Sequence, residues 1–219
     1  MRDVTLTFDN GPEPDVTPGV LDVLARTGVA ASFFVLGHKI ADPARRRLAE
    51  RAAAEGHRIA NHTYSHETPL GNLPGADVPE TEIGRTQALI GDLAHADRLF
   101  RPFGGGGALG PHLLSRPVAD YLIEGRYTCV LWNAIPRDWA DPDGWVETAM
   151  AQLAPLDHAL IVVHDLPTGA MAYLEKFIDK VREQGGTFRQ DFPEDCVPLR
   201  RGRVTGDFTA CVTETAGAA

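Results

Sequence analysis

His62 and His66 stand four residues apart in GHRIANHTYSH (56–66), directly after the short apolar run HRIAN (57–61). If the chain turns helically after that strand, the two imidazoles share one face, and the spacing suits a divalent transition metal, zinc above others. Spacing alone describes a pair of surface histidines equally well. Near the N-terminus, LTFDNGPEPD (6–15) closes an apolar run with Asp9, Asn10, Gly11 and Pro12. Consecutive side chains at a strand end diverge, so one can face a metal while its neighbour faces the reacting atom. A carboxylate beside a metal-bound water takes its proton in metal-assisted hydrolysis. The competing reading is an Asx-type turn in which Asn10-Gly11-Pro12 only reverses the chain.

These residues need a scaffold that brings them together. VTLTF (4–8) reads as a strand, followed by a helix over 17–27 with Thr17 as N-cap, Pro18 at N1 and Gly28 past its end. ASFFVLG is the next strand, and Asp42-Pro43 starts a second helix that stops at Gly56. After HRIAN the rhythm continues with a helix around 80–95, a strand in RLFRPF and a helix around 111–123. Then come YTCVLW, a helix near 143–153, ALIVVH, a helix over 168–184, and TFRQDF. About seven strand–helix pairs without a break predict one α/β domain over 1–205, with 67–79 as a surface loop and 206–219 as a fraying tail. Asp9, Asn10, His62, Arg101 and His164 all fall at C-terminal strand ends or just beyond. In a parallel barrel or open sheet those ends share one face.

Composition narrows the function classes. The 219 residues carry 43% hydrophobic and 23% charged side chains, an ordinary globular balance. A net charge of -9 repels phosphate and disfavours nucleic acid or anionic membrane as a partner. Arg45-Arg46-Arg47 sits among Glu50 and Glu55 and reads as a solvated helix face. Cys129, Cys196 and Cys211 are odd in number and form no CxxC pair, which argues against a zinc ribbon or a disulfide scaffold; reduced thiols are expected. No run reaches the length of a membrane span. The first strand begins at Val4 and leaves no room for a signal peptide, so a cytoplasmic location is expected.

Together the motifs resemble the polysaccharide deacetylase family, the NodB homology domain of carbohydrate esterase family 4. TFDNGP matches that family's T-F-D-D-G-P at five of six places, and GHRIANHTYSH closely matches its histidine motif. FRPFGGGG approximates R-x-P-[YF]-G, LWNAIPRDW resembles the fourth motif, and ALIVVHD the fifth, all in family order across residues 5–165. The resemblance implies a distorted or incomplete (β/α)7 barrel. It also implies metal-assisted hydrolysis of the amide in N-acetylated amino sugars or oligosaccharides. Asp9 would be the general base on a metal-bound water, and Asn10, His62 and His66 the metal ligands. Arg101 would orient Asp9, Asp138 would be tied to His164 or Arg101, and His164 would be the general acid. Trp139 and Val162 would line an acyl pocket. The oxyanion N–H would come from Phe103 or Gly104. The implied cofactor is a divalent metal, zinc first, with cobalt and nickel as alternatives.

Three departures bear on that reading. Asn10 replaces a ligand aspartate, so two imidazoles and an amide would leave a divalent ion its full charge, bound more weakly and acting as a harder Lewis acid. The alternatives are a metal-independent hydrolase of cyclic or other small amides, or a carbohydrate-binding pseudoenzyme. Asn10-Gly11 is also prone to deamidation. One residue is missing between Arg101 and Phe103, and Gly104–Gly107 follow, which lets backbone approach a substrate closely. Ile135 stands where many relatives carry a polar residue, predicting a drier pocket.

Overall fold

A strand buried on both faces needs partners on both sides, and DVTLTFD is that strand. In the computed structural model, which describes residues 3–213, β1 (Asp3–Asp9) is buried from Val4 onward and has paired strands on both sides. It pairs in parallel along its whole length with β6 (His158–His164), from Asp3↔His158 to Asp9↔His164. Its other edge is shared. β2 (Ser32–Val35) covers Thr7–Asp9, and β7 (Thr187–Arg189) covers Asp3–Thr5. Beyond β2 the parallel order continues through β3 (Arg58–Asn61), β4 (Leu99–Phe100) and β5 (Thr128–Cys129).

The sheet then curls towards closure. Past β5 the chain bends back on β6, where Ala134 bridges Ile161 and Asn133 N–H donates to the Leu160 carbonyl at 3.3 Å. β5 also takes on the antiparallel pair β8 (Leu199–Arg200) and β9 (Arg203–Val204). The result is a distorted (β/α) barrel, as the sequence predicts. Around it run α1 (Thr17–Thr27), α2 (Gly37–Ile40), α3 (Pro43–Ala54), α4 (Arg85–Ile90), α5 (Arg116–Glu124), α6 (Trp145–Leu153) and α7 (Leu174–Glu183).

Period-2 alternation sorts the side chains. Val4, Leu6 and Phe8 of β1 and Ala159, Ile161 and Val163 of β6 pack in one core with Leu21, Trp145 and Phe177 of the helices. Leu160 and Val162 belong to a second core with Phe34, Phe100 and Leu131. Thr5, Thr7 and Asp9 alternate with the helix-facing set, so Asp9 emerges at the end of the row that faces away from the helices.

Several local expectations change. α1 begins at Thr17, and its N-cap is Val16 with no side-chain cap bond. The Thr17 hydroxyl is engaged elsewhere, donating to buried Asp165. Gly28 ends α1 in the left-handed region, and Asp42 caps α3 through Ala44 and Arg45 N–H, both as predicted. The helix expected over 80–95 opens as a π turn (Pro79–Gly84) ahead of α4. The tail expected to fray from 206 packs down to Thr213, because Phe208 and Cys211 are buried and 212–213 run alongside Leu114. Residues 214–219 of that tail lie outside the described residues. The three cysteines are buried free thiols. Among the described residues no helix is long and apolar enough to cross a membrane.

Candidate active site

Pairing of β1 with β6 fixes the first two groups, since Asp9 and His164 are register partners at the strand ends. Each has its own orienting partner. Arg101, fully buried just after β4, donates from Nη1 to Asp9 Oδ1 at 2.7 Å and to Thr7 Oγ1 at 2.8 Å. Its Nε and Nη2 donate to the carbonyls of Val130 and Leu131 at 3.1 and 3.2 Å, and the guanidinium lies 3.9 Å from the Phe34 ring centroid. Four of the five N–H donors of the cation are thereby engaged, and Asp9 is the carboxylate that balances it.

On the other side, Asp138 Oδ1 accepts from His164 Nδ1 at 2.8 Å, and Oδ2 accepts the His164 backbone N–H at 2.9 Å. Of the two partners predicted for Asp138, the structure gives His164 and leaves Arg101 to Asp9. Burial opposes a charge on His164. The Asp138 hydrogen bond, with the charges of Asp138, Asp9 and Asp165, outweighs that and raises its pKa above the ordinary imidazole value. The Trp139 indole meets the His164 ring edge-on at 4.8 Å.

The histidine pair follows a different geometry from the one its spacing suggested. No helix follows β3. Thr63 and His66 adopt positive φ (71° and 56°), and Glu82 Oε2 in the π turn accepts the N–H groups of Tyr64 and Ser65 at 3.0 and 2.9 Å. The loop still brings the rings to 4.8 Å centroid separation. His62 Nδ1 bonds the Arg101 carbonyl at 2.8 Å. A carbonyl only accepts, so the proton is on Nδ1 and Nε2 keeps its lone pair. Nε2 lies 3.5 Å from Asp9 Oδ2, too long for a hydrogen bond, and burial lowers the His62 pKa in spite of Asp9. This contact is therefore not an ion pair. His66 stacks at 3.9 Å on Phe103, and burial, reinforced by His62, His164 and Lys39, pushes its pKa down to about 2. Both rings are neutral.

Asn10 completes the set. It lies past the strand end at φ 74°, a left-handed conformation that asparagine adopts more readily than most residues. Its Oδ1 is buried with no hydrogen-bond partner among the described residues. Such an orphan costs about 1–3 kcal/mol unless a ligand meets it. Gly11 must be glycine, because a Cβ there would stand 2.2 Å from the Asp165 carboxylate. Among the described residues no three His, Cys, Asp or Glu side chains form a metal cluster. With the Asn10 amide as a third donor beside the two imidazoles, the neutral N,N,O set would suit a borderline divalent cation.

Asp9, Asn10, His62, His66 and His164 line one cavity of about 350 Å³, together with Phe103, the glycines 104–107, Trp139 and Val162, while Arg101 and Asp138 are fully buried behind it. Residues that the sequence did not single out also belong here. Trp132 lines the cavity and donates from Nε1 to the Gly107 carbonyl at 2.9 Å, and Leu166 lines it beyond His164. Thr7, Glu82 and Asp165 support it from behind. The alternation of VTLTFD put Thr7 on the same face as Asp9, a signal that was available; Glu82 and Asp165 gave none.

Comparison with known proteins places this arrangement. Residues 1–108 match the family described as polysaccharide deacetylase. A chitooligosaccharide deacetylase of Bradyrhizobium sp. (strain ANU 289) is 34% identical over 168 residues, covering 75% of this chain and 71% of that protein. The crystal structure of the Bc1960 peptidoglycan N-acetylglucosamine deacetylase superposes with a TM-score of 0.72 at 28% identity, covering 85% of each chain. A family 4 acetyl xylan esterase from Clostridium thermocellum, in complex with a cobalt ion, gives 0.69 at 27% identity, covering 86% of this chain and 87% of that one. The chain belongs to the polysaccharide deacetylase family, carbohydrate esterases of family 4 that use a divalent metal and include hydrolases of non-peptide carbon–nitrogen bonds.

Proposed function

We propose that this pocket removes the N-acyl group of an N-acetylated amino sugar, with a divalent metal, zinc first, held by Asn10, His62 and His66. When bound, the cation supplies Lewis-acid charge that polarises the amide carbonyl and acidifies water. Asp9 has Oδ1 fixed by Arg101, and its Oδ2 takes the proton of the attacking water. His164 carries that reaction's other proton on Nε2 and delivers it to the leaving nitrogen as the C–N bond breaks, yielding acetate and the free amine. Asp138 holds the imidazole in register for that transfer. A backbone N–H at Phe103 or Gly104 serves the developing oxyanion, and Trp139 and Val162 flank the acyl group.

The observation that carries this reading is the Asp9↔His164 register: an acidic side chain and an imidazole at facing positions of adjacent strands, each locked by its own buried partner. The substrate follows the relatives, which are named as a chitooligosaccharide deacetylase and a peptidoglycan-N-acetylglucosamine deacetylase. The amide at position 10 favours a second reading, in which Asp9 and His164 work on a small amide without metal. Release of free amine from N-acetylchitooligosaccharides, in zinc and in chelator, tests both. Turnover in zinc, lost on chelation and reduced at least about 100-fold in Asp9→Asn and His164→Asn, is expected. Turnover that survives chelation gives the second reading, and turnover indifferent to both substitutions overturns the assignment.

A further inference from the structure

Polar side chains in the cavity gather in one set, and the other lining side chains are apolar, with the backbone of Phe103 and the glycines 104–107 between them. Asp9, Asn10, His62, His66 and His164 cluster around the strand ends. Among the described lining residues there is no Ser, Thr, Tyr, Gln, Glu, Lys or Arg. Away from the polar set, Trp132, Ile135 and the glycines interlock. Trp132 has its one donor committed to the Gly107 carbonyl. A Cβ on Gly104 would stand 2.7 Å from Trp132 Cη2, and one on Gly107, at φ 97°, 3.0 Å from Ile135 Cδ1. Glycine therefore lets the loop lie flat on both side chains and keeps the space open. The whole cavity, the polar set included, is about 350 Å³, roughly ten times the ~30 Å³ share of one water-sized group. An acetyl methyl would fill little of it.

A sugar carries a hydroxyl on nearly every ring carbon, and each needs a partner when water is removed. The carbon-lined part of the cavity supplies no side chain to partner them. The half of the substrate that enters it is the half without hydroxyls. We infer that the cavity selects an amide whose acyl group is apolar and larger than acetyl, a short alkyl chain of about four carbons or an aryl ring. This rests on the hydrolase reading above and, at the same site, replaces the acetyl group of that reading with a larger acyl group as the preferred one.

The test is a series of N-acetyl-, N-butanoyl- and N-benzoylglucosamine, read both as turnover and as binding through the fluorescence of Trp132 and Trp139. Each buried methylene is expected to contribute about fourfold, so N-butanoyl exceeds N-acetyl about 15-fold in affinity and in kcat/KM, mainly through KM. Gly104→Ala, which drives Trp132 into the space, and Ile135→Phe, which fills it with a larger side chain, each bring the ratio back towards one. Thermal unfolding of both variants checks that they fold. Acetyl preferred over butanoyl in binding and turnover overturns the inference and leaves the hydrolase reading intact. Tighter butanoyl binding without turnover of any compound sustains the selectivity and removes the hydrolase reading. A preference that survives both variants also overturns it.

Discussion

Replacing Arg101 with methionine keeps the apolar stem over Phe34 but deletes four hydrogen bonds, to Asp9, Thr7, Val130 and Leu131. The largest consequence falls on Asp9, whose side chain is 5% exposed and whose nearest other partner, neutral His62, is 3.5 Å away. Breaking a buried ion pair from one side costs about 3–5 kcal/mol, because the remaining charge stays buried without compensation. The orphaned carbonyls add to this, against a total stability of about 5–15 kcal/mol for a domain. Urea unfolding of the parent, Arg101→Met, Asp9→Asn and the double variant closes a cycle. In the Asp9→Asn background the charge is gone, so Arg101→Met is expected to cost about 2–3 kcal/mol less there than in the parent. An Arg101→Met loss below about 1 kcal/mol, or an identical loss in both backgrounds, would refute the claim that the pair is held by mutual charge.

Two further outcomes follow from the buried acids. Asp138 offers two acceptors to the two N–H groups of His164, whereas an amide offers one, so Asp138→Asn removes the chief influence holding the His164 proton. Activity that needs protonated His164 falls as pH rises through its raised pKa; in Asp138→Asn that falling limb of kcat/KM moves to lower pH, and an unmoved limb contradicts the role. Asp165 is buried, its Oδ1 unpartnered among the described residues, and burial pushes its pKa from 3.8 up to about 7 despite the Thr17 hydroxyl. Between those values the native state keeps a proton that the unfolded chain has released, so stability falls as pH rises through this window. The span from 3.8 to about 7 corresponds to at most about 4 kcal/mol, and Asp165→Asn is expected to flatten that slope in urea titrations from pH 4 to 8. A slope that persists in the variant would place its origin elsewhere.

Much of the barrel was legible because alternation of apolar runs with capped helices is a local signal, and the meeting of Asp9, His62 and His164 in one cavity was legible because they sit at strand ends or just beyond. The histidine pair shows where such reading stops. The rings meet, yet through left-handed backbone at Thr63 and His66 and the reach of Glu82, 16 residues beyond His66, with no helix involved. Thr17 has the residue type of an N-cap, but a tertiary acceptor, Asp165, took its hydroxyl. Segment 206–213 lacks periodicity and looked ready to fray, while Phe208 and Cys211 hold it down through contacts from distant parts of the chain. The choice of Asp138 between two partners was likewise tertiary. Trp132 carried no chemical signature beyond an apolar run, and its part in the pocket depends on the glycine loop folding over it.

Asn10 is the residue on which the proposed chemistry turns, and zinc binding by calorimetry addresses it directly, with peptide mass spectrometry confirming an amide at position 10. The native protein is expected to bind one equivalent, Asn10→Asp to bind it more tightly, and His62→Ala to bind none. A native protein that stays empty at saturating zinc while Asn10→Asp fills would contradict the working donor set of Asn10, His62 and His66.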